Sequence, residues 1–249
     1  MNTIVKHAPA GPVAVVTGGA VRVGRGIALG LAEAGFDVAV NYHRSESEAR
    51  EVSARIEAVG RRALPIRADV SRSGEIDGLL EKVRSRFGRM DLLVNNASLF
   101  QQSPFMEIQE EEWDRVMDVN VKGPFLMVQK AADLLADSGG SVVNVVDLSA
   151  FRPWREFPHH SVSKAALLHL TRVMARALAP RVRVNAVAPG SVLLPDDYTE
   201  EQKERARGRT ALGELGAPED VLRTILFLER SSFITGEVIT VDGGQTLEG

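Results

Sequence analysis

Short apolar blocks recur along the chain, each followed by a segment whose apolar positions fall three and four apart. Val13-Ala14-Val15-Val16 is the first block, Thr17-Gly18-Gly19 follows it, and Val23, Ile27, Leu31 and Ala34 then recur at helical spacing. That order predicts a strand, a glycine turn and a helix. Val38-Ala39-Val40, a charged helix from Glu46 to Val59, Ala63 to Ile66, a helix from Ile76 to Phe87 and Leu92-Leu93-Val94 continue the rhythm. Downstream, Trp113 to Leu135 reads as one long helix, Ser141 to Val146 as a strand, Ser161 to Leu178 as a helix and Val182 to Val187 as a strand. A helix from Val221 to Leu228 and a strand from Val238 to Val241 close the pattern.

The strands are short and apolar on both faces, which suits a parallel sheet covered by helices on both sides and joined by right-handed crossovers. The expected architecture is α/β, a three-layer, doubly wound Rossmann fold with about seven parallel strands. Between Pro195 and Gly208 a polar, acidic stretch interrupts the rhythm and is expected to form a mobile substrate lid. Residues 1–10 are expected to be a loose terminal arm and residues 11–249 one domain.

Composition narrows the partners. The 249 residues are 44% hydrophobic, enough for a sizeable core, and 30 basic residues are interspersed with 33 acidic ones for a formal charge of -3. No polybasic run invites nucleic acid or an anionic membrane. With no cysteine there is neither a disulfide framework nor a thiolate metal site, and no metal is expected. Met1 to Pro12 lacks an apolar stretch of signal-peptide length, so a soluble, cytoplasmic protein is expected.

Candidate chemistry begins at the first turn. Thr17-Gly18-Gly19-Ala20-Val21-Arg22-Val23-Gly24 lies between strand and helix, where backbone N–H groups and the helix N-terminus receive a pyrophosphate. Glycine turns also merely end strands, so context decides. At the end of the second strand, where an NAD site carries a carboxylate for the ribose hydroxyls, this chain has His43, Arg44 and Ser45. Two potential cations and a hydroxyl suit a 2′-phosphate, so NADPH is expected over NADH.

With Asn95-Asn96-Ala97, Asn120, Lys164, Pro189-Gly190 and Val241-Asp242-Gly243-Gly244 added in order, the chain resembles the short-chain dehydrogenase/reductase family over nearly its whole length. The resemblance implies that Asp69 and Val70 lie near the adenine, and that Asn96, Ala97, Ser98, Lys164, Pro189, Gly190, Ser191 and Val192 join Thr17, Gly18, Val23 and Gly24 around the cofactor. It also implies a homotetramer, and the helices carrying Val116, Val119, Phe125, Val128, Leu167, Leu170 and Val173 are apolar around much of their circumference, as helices between subunits are.

Two positions depart from the family: Arg22 stands where the turn usually has glycine, and Asp147 where a serine is usual. Together with His43-Arg44-Ser45 and Asn95-Asn96-Ala97-Ser98 they look like the pteridine reductases. That likeness implies Arg22 on pterin and cofactor phosphate, Ser98 at the pterin edge and Phe100 stacked over the ring. Read singly, Phe100 is equally a core aromatic, Ser98 a helix cap and Asp147 a turn residue.

The family's chemistry uses Tyr-x-x-x-Lys on one helix face. Here Lys164 is preceded, four residues earlier, by His160, with Asp147 thirteen residues before that. Histidine, with an ordinary pKa of about 6.5, is a competent proton donor near neutrality. The Lys164 ammonium disfavours a charged imidazole and an ionised Asp147 favours one. The sequence therefore implies hydride transfer from NADPH to a C=N or C=O bond, with Lys164 on ribose, Asn120 holding a relay water, and Asp147 and His160 sharing proton delivery. A dihydropterin or related heterocycle is the expected substrate. Two alternatives stand beside it: a non-catalytic NADPH-binding protein, and a reductase of 3-oxoacyl thioesters or other carbonyl compounds.

Overall fold

The computed structural model describes residues 10–194 and 198–247. The expected terminal arm therefore lies almost wholly outside the described residues, as do Pro195, Asp196 and Asp197 of the expected lid. The first half of the chain runs β1 (Val13–Val16), α1 (Arg22–Glu33), β2 (Asp37–Tyr42), α2 (Glu46–Ala58), β3 (Ala63–Arg67), α3 (Ser73–Phe87) and β4 (Leu92–Asn95). The second half runs α4 (Glu110–Met117), α5 (Gly123–Ser138), β5 (Ser141–Val145), α6 (Pro158–Leu178), β6 (Arg183–Pro189), α7 (Glu200–Arg207), α8 (Pro218–Arg230) and β7 (Val238–Val241).

The strands form one seven-stranded parallel sheet in the order β3-β2-β1-β4-β5-β6-β7. Strand direction and the pleat explain the apolar blocks. Ala14 and Val16 of β1 face a core built with Ile27, Leu31, Val52 and Ile225 from α1, α2 and α8. Val15, between them, faces the opposite core with Ile76, Leu79, Met127 and Met174 from α3, α5 and α6. A strand sandwiched this way is apolar at every position, so it shows no alternation in sequence. The order of strands reverses between β1 and β4, the switch point outside whose carboxyl ends a doubly wound sheet opens a crevice.

Three expectations change. The long helix expected from Trp113 to Leu135 is two α-helices joined by a π-helical turn at Asp118–Lys122, and the added backbone per turn swings Asn120 inward. The expected lid contains a helix, α7, fixed at its start by a capping box: Thr199 Oγ1 accepts from Gln202 N at 3.3 Å and Gln202 Oε1 from Thr199 N at 2.8 Å. Of the apolar positions expected between subunits, Val116, Val128 and Leu167 are spent on the chain's own interior, whereas Phe125 and Val173 remain exposed.

Candidate active site

The carboxyl ends of β1, β4, β5 and β6 converge on one rim. At β1 the chain must turn sharply, and Gly18 does so with φ +61°. A Cβ on Gly18 would stand 3.1 Å from Ala97 Cα, and one on Gly24 only 2.2 Å from the Gly18 carbonyl. Bare backbone at both positions lets the turn fold tightly onto itself and onto β4 at the N-terminus of α1, where helix N–H groups favour an anion. Thr17 ties the turn to β4: its hydroxyl accepts from Asn96 N at 2.9 Å and Ala97 N at 3.0 Å. The Asn96 amide donates back to the carbonyls of Thr17 at 2.9 Å and Gly18 at 3.1 Å.

Arg22, the first residue of α1, has φ +51°. A left-handed backbone there costs a non-glycine residue about 1–2 kcal/mol, which accounts for the glycine usual at this position. Its guanidinium reaches across to the Leu193 carbonyl at 3.1 Å, joining the turn to the segment after β6. Val23 is half-buried behind the turn. Within that later segment Pro189 ends β6, Gly190 packs against Asp242, Ser191 donates to Gln245 Oε1 at 3.2 Å, and Val192 is buried.

After β2, His43 and Arg44 are exposed and Ser45 half-buried without a side-chain capping bond. His43 Nε2 lies 4.0 Å from Asp69 Oδ2. Burial would raise the Asp69 carboxyl, but hydrogen bonds from Ser71 and the nearby His43 and Arg72 hold it below its ordinary value. Val70 is buried beside it. Among the described residues Arg44 engages no acceptor.

Asp147 and His160 meet. Nε2 of His160 lies 2.7 Å from Asp147 Oδ2, and Nδ1 lies 3.0 Å from the Leu99 carbonyl. An ionised carboxylate and a carbonyl are both acceptors, so satisfying both takes a proton on each ring nitrogen. The pair is asymmetric in depth, the His160 side chain being 2% exposed and that of Asp147 19%. Asp147 Oδ1 is held by Ser149, through both its backbone N–H and its hydroxyl. Burial alone would raise the Asp147 carboxyl; the His160 hydrogen bond, the Lys164 charge and Ser149 together outweigh it and keep the group below the usual carboxylate range. Lys164, one turn along α6 from His160, is buried and donates to the Val145 carbonyl at 2.9 Å. Burial lowers its pKa, opposed by Asp147.

The Asn120 side chain joins this group. Its Oδ1 accepts from Leu99 N at 2.7 Å and from Ser98 Oγ at 3.2 Å, while Nδ2 donates to the Leu99 carbonyl at 3.0 Å and Ser163 Oγ at 2.9 Å. Its side chain clamps the peptide whose carbonyl meets His160. Leu99 and Ser163 were not legible as site residues, since one acts through its backbone and the other resembles any helical serine. Phe100 is 59% exposed at the cleft and stacks on Phe157, with ring centroids 4.2 Å apart. Trp154 completes the wall, its ring 6.1 Å from that of His160 at 16°. Trp154 was not singled out from the sequence; the aromatic spacing of Phe151, Trp154 and Phe157 just before α6 is the signal that would have found it.

A buried turn-and-lysine framework of this kind has many relatives. Residues 19–246 match the family model described as enoyl-(acyl carrier protein) reductase. The chain belongs to the short-chain dehydrogenase/reductase family. Within that family it is 37% identical over 237 residues to the 3-oxoacyl-[acyl-carrier-protein] reductase FabG of Staphylococcus aureus, covering 93% of this chain and 96% of that one. It is 36% identical over 244 residues to the 2-dehydro-3-deoxy-D-gluconate 5-dehydrogenase of Escherichia coli, covering 94% and 95%. The acetoin dehydrogenase of Enterobacter cloacae superposes with a TM-score of 0.87 at 35% identity, over 97% of this chain and 98% of that one. As a short-chain dehydrogenase/reductase the chain is an oxidoreductase of a nicotinamide-dependent family acting on small molecules. Among the described residues no helix is long and apolar enough to cross a membrane.

Proposed function

We propose that this short-chain dehydrogenase/reductase is an NADPH-dependent reductase of carbonyl compounds, with 3-oxoacyl thioesters the leading substrate class, and that it delivers its proton through Asp147 and His160. The observation that carries the reading is the 2.7 Å bond between His160 Nε2 and Asp147 Oδ2 beside the buried Lys164. The relatives named for 3-oxoacyl and sugar-acid chemistry support a carbonyl rather than an imine as the reduced bond.

The turn fits a dinucleotide because glycine at 18 and 24 lets it close tightly, a Cβ there meeting Ala97 Cα at 3.1 Å or the Gly18 carbonyl at 2.2 Å. Thr17, Gly18, Arg22, Val23 and Gly24 would hold the pyrophosphate, and Asp69 and Val70 the adenine. The uncommitted Arg44, with His43 and Ser45, favours a 2′-phosphate. Lys164 would hold the nicotinamide ribose, with Asn96, Ala97, Ser98 and Pro189 to Val192 lining that half. The bound dihydronicotinamide supplies the hydride. Asp147, the more exposed partner, faces the developing oxyanion. A proton on His160 Nε2 crosses to Oδ2 and on to the substrate oxygen, leaving a neutral imidazole anchored by Nδ1–H on the Leu99 carbonyl.

One observation favours a second reading. The exposed Phe100, stacked on Phe157 and edged by Trp154, offers a flat aromatic surface, which suits a dihydropterin or related heterocycle. Arg22, Ser98 and Asp147 are the residues of the pteridine reductase likeness and belong to this reading. In either case the exposed Phe125 and Val173 fit burial between subunits of a homotetramer.

The experiment is NADPH oxidation by the purified protein with a 3-oxoacyl thioester panel and a dihydropterin panel, repeated with NADH. Turnover of thioesters with NADPH preferred is the expected result. Turnover of pterins alone moves the assignment to the second reading. Activity that appears only in His160→Tyr makes the native chain a cofactor-binding protein without this chemistry.

A further inference from the structure

A cavity of about 310 Å³ adjoins the aromatic wall and is lined by residues that include Leu148, Arg152, Trp154, Arg209, Gln245 and Thr246. Leu148 directly follows Asp147, and Trp154 packs against the His160 ring, so one indole separates this cavity from the reacting pair. The Trp154 backbone is fixed by an N–H bond to Ser161 Oγ at 3.0 Å. Among the described residues no carboxylate lines the space, and Arg152 and Arg209 do. Arg152 spends one donor on the Thr246 carbonyl, at 2.6 Å, which leaves the rest of its fork uncommitted. Arg209 is exposed, and among the described residues its side chain engages no acceptor. The role set out above for Asp147, His160 and Lys164 uses neither arginine.

We propose that this cavity is an anion subsite of the substrate cleft. It receives a carboxylate or phosphate carried by the substrate on the side of Trp154 away from the reduced bond. Two planar forks with free N–H groups, next to an amide and with no competing acid among the described residues, match the acceptor geometry of either anion. The inference rests on Asp147 and His160 marking the reducing centre. The substrate is then bipartite: an oxidised carbon at the pair, a spacer over Trp154, and an anionic tail at Arg152 and Arg209. Neither reading of the reduced group is required, since thioester carriers and conjugated heterocycles alike bear anions.

Binding is measured by isothermal titration of the NADP⁺-loaded full chain with three probes: 4-acetylbenzoate, its methyl ester, and 4-acetylphenyl phosphate. The anionic probes are expected to bind about tenfold tighter than the ester. Arg209→Ala should abolish that ratio, Arg209→Glu should invert it, and Arg209→Lys should keep most of it. A preference for phosphate over carboxylate, or the reverse, identifies the source of the anion, and either supports the subsite. Equal binding of anion and ester by the native protein, or a ratio unmoved by Arg209→Ala, overturns it. The readout needs no turnover, so a protein that binds anions through Arg209 yet oxidises no NADPH defeats the reductase reading and leaves the subsite standing.

Discussion

Asp147 carries consequences that a serine in its place would not. A hydroxyl accepts and donates without charge, whereas a carboxylate beside a buried lysine and a buried imidazole organises both. Asp147→Asn keeps the shape but removes the charge and the proton path, and kcat is expected to fall by about 10²–10⁴-fold in steady-state assays with cofactor Kd little changed. A fall in cofactor affinity with kcat preserved would place Asp147 outside proton delivery. A second carboxylate has a purely structural task. Asp37 is buried at the start of β2, where it accepts from Arg61 Nη2 at 2.6 Å, Arg62 Nε at 2.7 Å and Arg62 N at 2.9 Å. Burial opposes its charge but Arg62 and Arg61 outweigh that and lower its pKa. Asp37→Ala is expected to cost about 3 kcal/mol by urea denaturation, because it takes the carboxylate from the half-buried Arg62 guanidinium and removes one partner of Arg61.

At the scale of elements, the turn from β1 into α1 and the π-helical turn between α4 and α5 do most to shape the site. Gly24→Ala sets a Cβ against the Gly18 carbonyl, a clash that only a shift of the turn relieves. Overpacking of this kind costs about 1–3 kcal/mol, so nicotinamide-cofactor affinity by fluorescence titration is expected to drop at least about tenfold while the fold survives. Asn120→Ala releases the Leu99 peptide and with it the acceptor that orients His160. The expected signature is a fall in kcat with KM nearly unchanged, and a loss of about 1–3 kcal/mol of stability for the unpaired backbone groups. A KM effect of equal size would mean that Asn120 contacts substrate.

Across the whole molecule, the pH dependence of stability follows from groups whose pKa the fold depresses. His159 is fully buried against Glu112, 3.2 Å away but not aligned for a hydrogen bond, and next to His160. Burial lowers its pKa, Glu112 opposes and His160 adds to the effect. The unfolded chain therefore binds a proton at His159 that the folded chain refuses. Its contribution is complete above the unfolded value of about 6.5 and is lost as pH falls below it. Asp37, Asp69 and Asp147 add a second decline below about 4, where the unfolded carboxylates protonate before the folded ones. Thermal denaturation from pH 8 to 3 is expected to show both limbs, and His159→Leu to remove the first; a single limb in the native protein would assign no such role to His159.

Local pattern sufficed for the strands, the helix faces and the glycine turn, because a strand sandwiched between helices must be apolar throughout and only a backbone without Cβ admits a phosphate closely. The spacing of His160 and Lys164 was likewise written along the chain, since helix period alone puts them on one face. What lay beyond the sequence is whatever depends on contact between distant segments. The Leu99 carbonyl enters the site through a clamp from Asn120, whose inward swing comes from a helical irregularity with no local signal. The two ring nitrogens of His160 are assigned by partners 13 and 61 residues away along the chain. Arg152 and Arg209 read as ordinary surface cations until folding brings them to one cavity behind Trp154. The sequence by itself determined the sheet, its layers and the place of the dinucleotide turn, for these follow from periodicity and steric exclusion. Only the tertiary structure decided which donors and acceptors meet, because hydrogen bonds and charge pairs form between atoms a few ångströms apart whatever their separation along the chain.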